Sequence, residues 1–317
     1  MSAESFAVAG APRDLGIDQG RAFRAVLQMR YRAQPLRIRA LQRLGLGDRR
    51  SDRLDRDLTR HFPRQSELVE GLARGAGVPR RWLVEALATE FGSDDPSCDD
   101  AAVAVDTSLA CGGAQLLRSF AAAPVVRRGR PAGGLASVEL TRPWLAATLA
   151  GVNEAGLAVA GVTRAWTSER GGCAAPAALL VHDCLSLFDS VDGAVDWCLG
   201  RPAAGCATLL VADSCGAALA VEVAGDDRRV VRPKDGLLVE GRGLGDAAAS
   251  ICRSGPPEDA ALAGMLGAPA ALLDPSGRRL GLFDPRAGSA EWFDATTSRG
   301  GTPADSATVD GALGCRG

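Results

Sequence analysis

The sequence changes character at residues 94–98, Asp-Asp-Pro-Ser-Cys, and this change limits the folds that the chain can adopt. Before it, apolar residues recur at helical spacing, notably in residues 13–45, 67–73 and 79–87. After it, short apolar runs alternate with turns rich in glycine, a pattern typical of strands joined by hairpins. This order favours an α+β fold over a doubly wound parallel sheet.

Turn signals in the second part of the chain predict which segments pair as strands. Residues 131–134, 153–156 and 213–216 carry Pro, Gly, Asn or Asp between apolar runs. A second helical block, residues 177–199, interrupts the strands, and the segment from residue 287 onward is rich in Gly, Ser, Thr and Ala. We therefore predict a helical segment over 1–97, a sheet region over 98–286 and a loosely packed tail over 287–317.

Composition narrows the classes of function. The formal net charge is −2 and the pI is near 5.8, so neither nucleic acid nor an anionic membrane is an expected partner. No apolar run reaches the length of a transmembrane helix, and the N-terminus lacks a basic and an apolar signal region, which predicts a cytoplasmic protein. Lys234 is the only lysine among many arginines, alanines and glycines, a bias typical of a high-GC bacterial genome.

The cysteines and histidines give no support for a metal site. Nine cysteines are spread along the chain without a Cys-x-x-Cys pair, and only His61 and His182 could add imidazole ligands. Both histidines are interpreted as structural. We therefore expect no metal and no other cofactor, and a reducing compartment in which most cysteines are buried apolar residues.

A cysteine that becomes N-terminal after cleavage of the chain needs neither histidine nor metal. Its own α-amine, with a pKa of about 7.7–8.0, can serve as the general base. Cys98 lies between the turn-like residues 93–97 and the first strand-like segment, where such a nucleophile is required. Position alone does not decide the matter, because a single cysteine ahead of a strand is more often structural.

Four segments of the chain resemble the penicillin acyltransferase family of N-terminal nucleophile hydrolases. They are residues 68–78, 151–158, 207–213 with Gly216 and Glu222, and 232–239. The order Asn-Glu-Ala-Gly-Leu in the second segment is the most specific of them. The resemblance covers most of the chain, from about residue 16 to 239. It implies an αββα four-layer sandwich of antiparallel sheets that acts on amide bonds as an acyltransferase or amidohydrolase.

The same resemblance assigns roles to individual residues. Cys98 falls at the nucleophile, Arg118 assists the carboxylate or amine environment, and the region of Asn153 supplies an oxyanion donor. Among the positions that depart from the family pattern, two concern the groups that assist the nucleophile: Ala121 replaces the Asp that orients the α-amine, and Thr208 replaces the Asn of the oxyanion hole. Loss of one oxyanion donor typically lowers kcat about 10²–10³-fold, so the two departures together predict very low catalytic activity.

Two hypotheses follow from these residues. The first is a divergent cysteine acyltransferase or amidohydrolase that acts on a small-molecule amide or acyl thioester and cleaves its own chain before Cys98. The alternative is a catalytically degenerate relative that uses the same sandwich to bind a ligand or a partner. A third, in which Cys98 is simply a core residue of another fold, has the least support. The sequence leaves open whether the chain forms a homo-oligomer.

Overall fold

The computed structural model describes residues 5–45, 49–92, 103–106, 115–120, 124–164, 173–234, 237–240, 279–284, 289–293 and 305–308. Six of its helices precede the sheet region, and two more lie within it. The N-terminal helices are α1 (Pro12–Ala22), α2 (Arg24–Arg32), α3 (Leu36–Arg43), α4 (Arg49–His61), α5 (Pro63–Ala76) and α6 (Arg80–Gly92), and the later pair is α7 (Leu179–Leu187) and α8 (Val191–Gly200).

The strands form two sheets. The larger sheet has eight strands in the order β1-β4-β5-β6-β7-β8-β9-β10, and the smaller has six in the order β11-β2-β3-β12-β13-β14. All neighbours are antiparallel except β1 and β4, which are parallel. The strands are β1 (Ser5–Gly10), β2 (Val103–Asp106), β3 (Gln115–Phe120), β4 (Val125–Pro131), β5 (Ser137–Thr141), β6 (Ala150–Asn153), β7 (Leu157–Arg164), β8 (Cys206–Asp213), β9 (Ala218–Ala224), β10 (Asp227–Val231), β11 (Leu237–Glu240), β12 (Arg279–Asp284), β13 (Ser289–Phe293) and β14 (Asp305–Thr308).

Glycines in the larger sheet show which of its faces meets the helices. A Cβ on Gly151 would touch Leu185 of α7, and a Cβ on Gly161 would touch Val181 of the same helix. Side chains alternate between the two faces along a strand, so the opposite face of the same strands is available to pack against the smaller sheet. Strands β2 and β3 pack against β7 and β8, which completes the order helices, large sheet, small sheet.

The predicted α+β sandwich is confirmed. Helices cover one face of the eight-stranded sheet, and the described residues include no helix on the outer face of the six-stranded sheet. The described residues therefore show three layers, and the fourth layer of the αββα prediction stays a prediction. None of the helices in the described part of the chain has the length and apolar character needed to cross a lipid bilayer.

Strands occur in two segments where the local sequence pattern did not predict them. The N-terminal segment, predicted to be mostly helical and part of the same fold, begins with β1, which pairs with β4 of the large sheet. In the segment predicted to be a loosely packed tail, β13 pairs with β12 and β14 pairs with β13. The partner of β1 is distant in the chain, and local composition does not encode such a pairing.

Candidate active site

The strand that follows Cys98 lies between two neighbours in the six-stranded sheet. Cys98 itself is outside the described residues, and β2 begins at Val103, a few positions further along the chain. Strand β2 pairs with β11 on one side and β3 on the other, and it contacts β7 and β8 across the sandwich. The chain therefore enters the interior of the sandwich soon after Cys98.

Arg118 lies on β3, next to the beginning of β2. Its backbone is opposite Val103 of β2 on one side and Gly281 of β12 on the other. Among the three residues assigned by resemblance, Arg118 is therefore the one that the described backbone places near the strand leading from Cys98.

Thr208 lies on the face of the large sheet that meets the small sheet. Its neighbour Leu209 lies beside Gly161, on the face covered by α7. Because successive residues of a strand face opposite ways, Thr208 faces the small sheet, in one row with Val162 of β7 and Glu222 of β9. Thr208 is 1% exposed. The position that the resemblance assigned to an oxyanion donor thus lies between the two sheets and carries a side chain shorter than Asn.

Asn153 points to the other side, towards the helices. Its Nδ2 group donates to the carbonyl oxygens of Leu185 (3.0 Å) and Phe188 (2.8 Å) at the end of α7. Its Oδ1 atom accepts from the backbone N–H groups of Ala155 (3.1 Å) and Leu157 (2.9 Å). The side chain is fully buried and uses its complete hydrogen-bonding capacity in this turn.

The backbone donors of this turn are also occupied. Glu154 donates its N–H to the Ala136 carbonyl, and Gly156 donates its N–H to the Asn153 carbonyl. With the two contacts to Asn153 Oδ1, every backbone N–H of residues 154–157 has an acceptor inside the protein. Gly156 has φ of +81°, a conformation that favours glycine. The specific Asn-Glu-Ala-Gly motif is explained as a turn whose N–H groups at residues 154–157 have acceptors within the protein, and the oxyanion donor near Asn153 stays a prediction.

Replacing Asn153 with alanine is expected to destabilise the protein by about 3 kcal/mol, because four backbone groups lose their partner and two of these hydrogen bonds are fully buried. Urea unfolding followed by circular dichroism measures this loss. Asp213→Ala is the matched control: Asp213 accepts from the backbone N–H groups of Cys215 and Ala217 in an exposed turn, so a loss of about 1 kcal/mol is expected. Equal losses in the two variants would contradict the structural role of Asn153.

A buried polar cluster, not predicted from the sequence, lies between the large sheet and the helices. The Arg127 guanidinium donates to Glu139 Oε2 at 2.5 Å, to Thr148 Oγ1 at 2.9 Å and to Gln19 Oε1 at 2.9 Å. His182 Nδ1 lies 3.1 Å from Thr148 Oγ1 and 3.4 Å from Glu139 Oε2. The cluster joins α1, β4, β5 and α7, and none of its side chains is more than 6% exposed.

The electrostatics of this cluster are those of a buried ion pair. Burial alone would raise the pKa of Glu139, but the charge of Arg127 and the contact with His182 hold it well below its usual range. Ser137 donates to the other carboxylate oxygen at 2.6 Å. Nearby, burial raises the pKa of Asp183, which accepts a hydrogen bond from Gln65 of α5. The cluster contains residue types that are common in catalytic sites, but it is buried and substrate cannot reach it. Its role is therefore to fix the helices on the sheet.

The described residues contain no group of three or more His, Cys, Asp or Glu side chains arranged to hold a metal ion. His182, which the sequence predicts to be structural, belongs to the buried cluster. The sequence signal for the cluster was weak, because Arg127 follows two valines and opens a run of basic residues that gives no sign of a buried partner. Only pairing with Glu139 across β4 and β5 brings the two charges together.

Comparison with known proteins gives a loose likeness. No family model matches the chain, and no characterised protein shows a significant sequence match. Among solved structures, penicillin V acylase from Agrobacterium tumefaciens has a TM-score of 0.46 and 14% identity, over 63% of this chain and 84% of that chain. A mutant of conjugated bile acid hydrolase from Clostridium perfringens has a TM-score of 0.42 and 12% identity, over 66% and 92%.

A third similar structure is the Caenorhabditis elegans ortholog of N-acylethanolamine-hydrolyzing acid amidase. Its TM-score is 0.46 and its identity is 12%, over 58% of this chain and 93% of that chain. At this level of similarity, the roles of residues in those proteins cannot be assigned to residues of this chain. Membership of the penicillin acyltransferase family, which the sequence motifs suggest, stays a prediction.

Proposed function

We propose that the chain is a cysteine acyltransferase or amidohydrolase with Cys98 as its nucleophile. The supporting observation is the position of Cys98 ahead of β2, the strand that pairs with the Arg118-bearing β3 and contacts β7 and β8. Thr208 faces the same interior from the opposite sheet. An N-terminal nucleophile needs this kind of setting, in which the start of a strand faces groups from a second sheet.

Self-cleavage would generate the nucleophile. The Cys98 thiol attacks the carbonyl carbon of Ser97, the peptide nitrogen takes up a proton, and the resulting thioester links residues 1–97 to the sulfur. Water then hydrolyses the thioester, which releases the Ser97 carboxylate and restores the thiol. Cys98 now carries a free α-amine that can take the thiol proton when a substrate carbonyl is attacked.

The catalytic cycle would use the same chemistry on a small-molecule amide or thioester. The Cys98 sulfur adds to the substrate carbonyl, the leaving amine or thiol departs with a proton, and an acyl-enzyme remains. Transfer to water is hydrolysis, and transfer to an acceptor amine is acyl transfer. Arg118 would lie near the α-amine or a substrate carboxylate, and the Thr208 hydroxyl is the candidate donor to the oxyanion.

The two pieces of a cleaved chain would stay together. Strand β1 pairs with β4, Gln19 of α1 bonds Arg127, and Gln65 of α5 bonds Asp183. These contacts join residues before the cleavage point to the sheet and helices after it. Cleavage is therefore expected to leave one particle under native conditions and two polypeptides after denaturation.

Intact-mass spectrometry of denatured protein tests the proposal. We expect species corresponding to residues 1–97 and 98–317, and labelling of Cys98 by an acylating amide or thioester probe. Cys98→Ala should abolish both results, whereas Cys215→Ala, which removes an exposed turn cysteine, should change neither. An intact chain whose Cys98 is not labelled would refute the catalytic proposal.

The alternative function is a ligand-binding or partner-binding module on the same sandwich. Specific observations favour keeping it: the donors of residues 154–157 are all occupied, and Thr208 stands where the resemblance expects an Asn. If this alternative holds, the chain stays uncleaved and Cys98 is not acylated. The Cys98→Ala variant should then match the wild-type protein in thermal stability and in stabilisation by ligand.

A further inference from the structure

Two cysteines outside the candidate active site lie in contact with each other. Cys184 is on α7 and Cys198 is on α8, and their sulfur atoms are 3.5 Å apart. Both are free thiols, and both are fully buried. The contact lies between two helices joined by a short connection, on the helix-covered face of the large sheet. The proposed catalytic chemistry uses neither residue.

The surroundings of the pair hold the two sulfurs close together. Cys184 also lies 3.8 Å from the carbonyl oxygen of Ala194, one turn before Cys198 on α8. The hydrogen bond with Cys198, together with burial, raises the pKa of the Cys184 thiol well above its usual range. Both effects favour a protonated Cys184 that donates to the neighbouring sulfur.

We propose that Cys184 and Cys198 are an oxidative modification site at which an intramolecular disulfide forms between α7 and α8. A disulfide has a sulfur–sulfur bond of about 2.05 Å, so each sulfur must move by less than about 1 Å from its present contact. Rotation of the two side chains within the helix pair can supply such a movement. The bond closes a short loop, because the residues are 14 positions apart in the chain.

Hydrogen peroxide is the class of oxidant that fits a fully buried pair, because it is small. The Cys198 sulfur attacks one peroxide oxygen as its own proton passes to the departing oxygen, so that the O–O bond breaks and a sulfenic acid and one water form. The Cys184 sulfur then attacks the Cys198 sulfur, and the hydroxyl leaves with the Cys184 proton as a second water. Two electrons pass from the sulfurs to peroxide, and two thiol hydrogens end in water.

The cross-link would stiffen the part of the helix layer that holds the Asn153 turn. Cys184 directly precedes Leu185, whose carbonyl accepts from Asn153, and the Phe188 carbonyl is the second acceptor. Oxidation is therefore expected to slow amide hydrogen exchange in α7 and α8. Because a short disulfide loop restricts the unfolded chain, the thermal midpoint should rise by about 5 °C.

The experiment uses the full chain and its Cys98→Ala variant, so that the result does not depend on the proposed nucleophile. Each is treated with hydrogen peroxide, denatured, alkylated at free thiols and digested with a protease that cuts before aspartate. Asp189, Asp192 and Asp196 separate the two cysteines onto different peptides. Tandem mass spectrometry should find these peptides joined, with the loss of two hydrogen atoms.

Cys184→Ala and Cys198→Ala should each abolish the linked peptide and the rise in thermal midpoint, whereas Cys215→Ala should preserve both. If an alanine variant does not fold, the serine variant at the same position takes its place. Recovery of Cys184 and Cys198 as separately alkylated thiols, under conditions that oxidise the exposed Cys215, would overturn the proposal. Cleavage before Cys98 is measured separately, from the mass of the chain, and does not depend on whether the disulfide forms.

Discussion

Replacing Gly71 with alanine is expected to lower the free energy of unfolding by about 3 kcal/mol, at the upper end of the cost of overpacking. A Cβ at this position of α5 would lie 2.9 Å from the carbonyl carbon of Arg13 and from the amide nitrogen of Ile17, and closer still to the Arg13 oxygen. These are backbone atoms of α1, so no side-chain rotation can relieve the contact. The two helices would have to separate.

The Gly71 site is one of four that hold α1 and α5 at this distance. Gly16 and Gly20 of α1 and Gly75 of α5 would each place a Cβ against backbone of the facing helix. Because all four contacts share one interface, a second alanine should add less than the first once the helices have moved apart.

Gly200→Ala is the matched control for this prediction. Gly200 also lies in a helix, α8, but a Cβ there would meet no atom within 4 Å. Alanine has the higher helix propensity, so this variant is expected to be neutral or slightly more stable. Urea unfolding of both variants by circular dichroism gives the comparison. Similar stability of Gly71→Ala and Gly200→Ala would show that the helix contact is looser than described.

The parts of the fold that were predictable from sequence depend on local signals. The helical block at 177–199 corresponds to α7 and α8, and apolar runs with turn residues between them correspond to the hairpins β6–β7 and β8–β9. In the second of these turns, Asp213 accepts two backbone hydrogen bonds and Gly216 has φ of +89°. The conformation of such turns is set by the residues within the turn, so it can be predicted from a single sequence.

Other features depend on which distant segments meet. The glycines at 71 and 75 belong to a segment that resembled a family, but their physical reason is the backbone of α1, which no local pattern identifies. Strand β1 was missed because its partner β4 follows all six N-terminal helices. The candidate site shows the same limit: sequence suggested Cys98 and Arg118 separately, and only the pairing of β2 with β3 places Arg118 beside the strand that follows Cys98 in the sequence.

Asn153 shows why a motif alone leaves a site undecided. The sequence Asn-Glu-Ala-Gly contains an amide side chain and two turn residues, which suit an oxyanion donor and a turn equally well. The Asn153 side chain points to α7 and not to the six-stranded sheet, which explains the turn, while a role of this region in oxyanion binding stays a prediction. Face assignment requires strand register, and register follows from the complete sheet.

Arg127→Met is expected to cost about 3–5 kcal/mol of stability near pH 7, because it leaves the Glu139 carboxylate buried without its cation. Arg127 and Glu139 are 2% and 1% exposed, so water cannot replace the lost partner. Arg229→Met is the control: its ion pair with Glu222 is 3.5 Å long and Arg229 is 73% exposed, which predicts a change of about 0–1 kcal/mol. The double variant Arg127→Met with Glu139→Met should recover part of the loss, since it removes both buried charges.

The loss caused by Arg127→Met should also depend on pH, with a sign fixed by the pKa of Glu139. In the wild-type protein the pKa of Glu139 is held well below its usual range, so its contribution is present above its unfolded pKa of about 4.3 and is lost as pH falls through the lower folded pKa. Without Arg127, burial should instead raise the folded pKa of Glu139, and folding of the variant is then penalised above about pH 4.3. The stability difference between the two proteins should therefore shrink on acidification. Urea unfolding of both at several pH values between about 7 and 4 measures it, and a constant difference would mean that lost packing, not the buried charge, causes the effect.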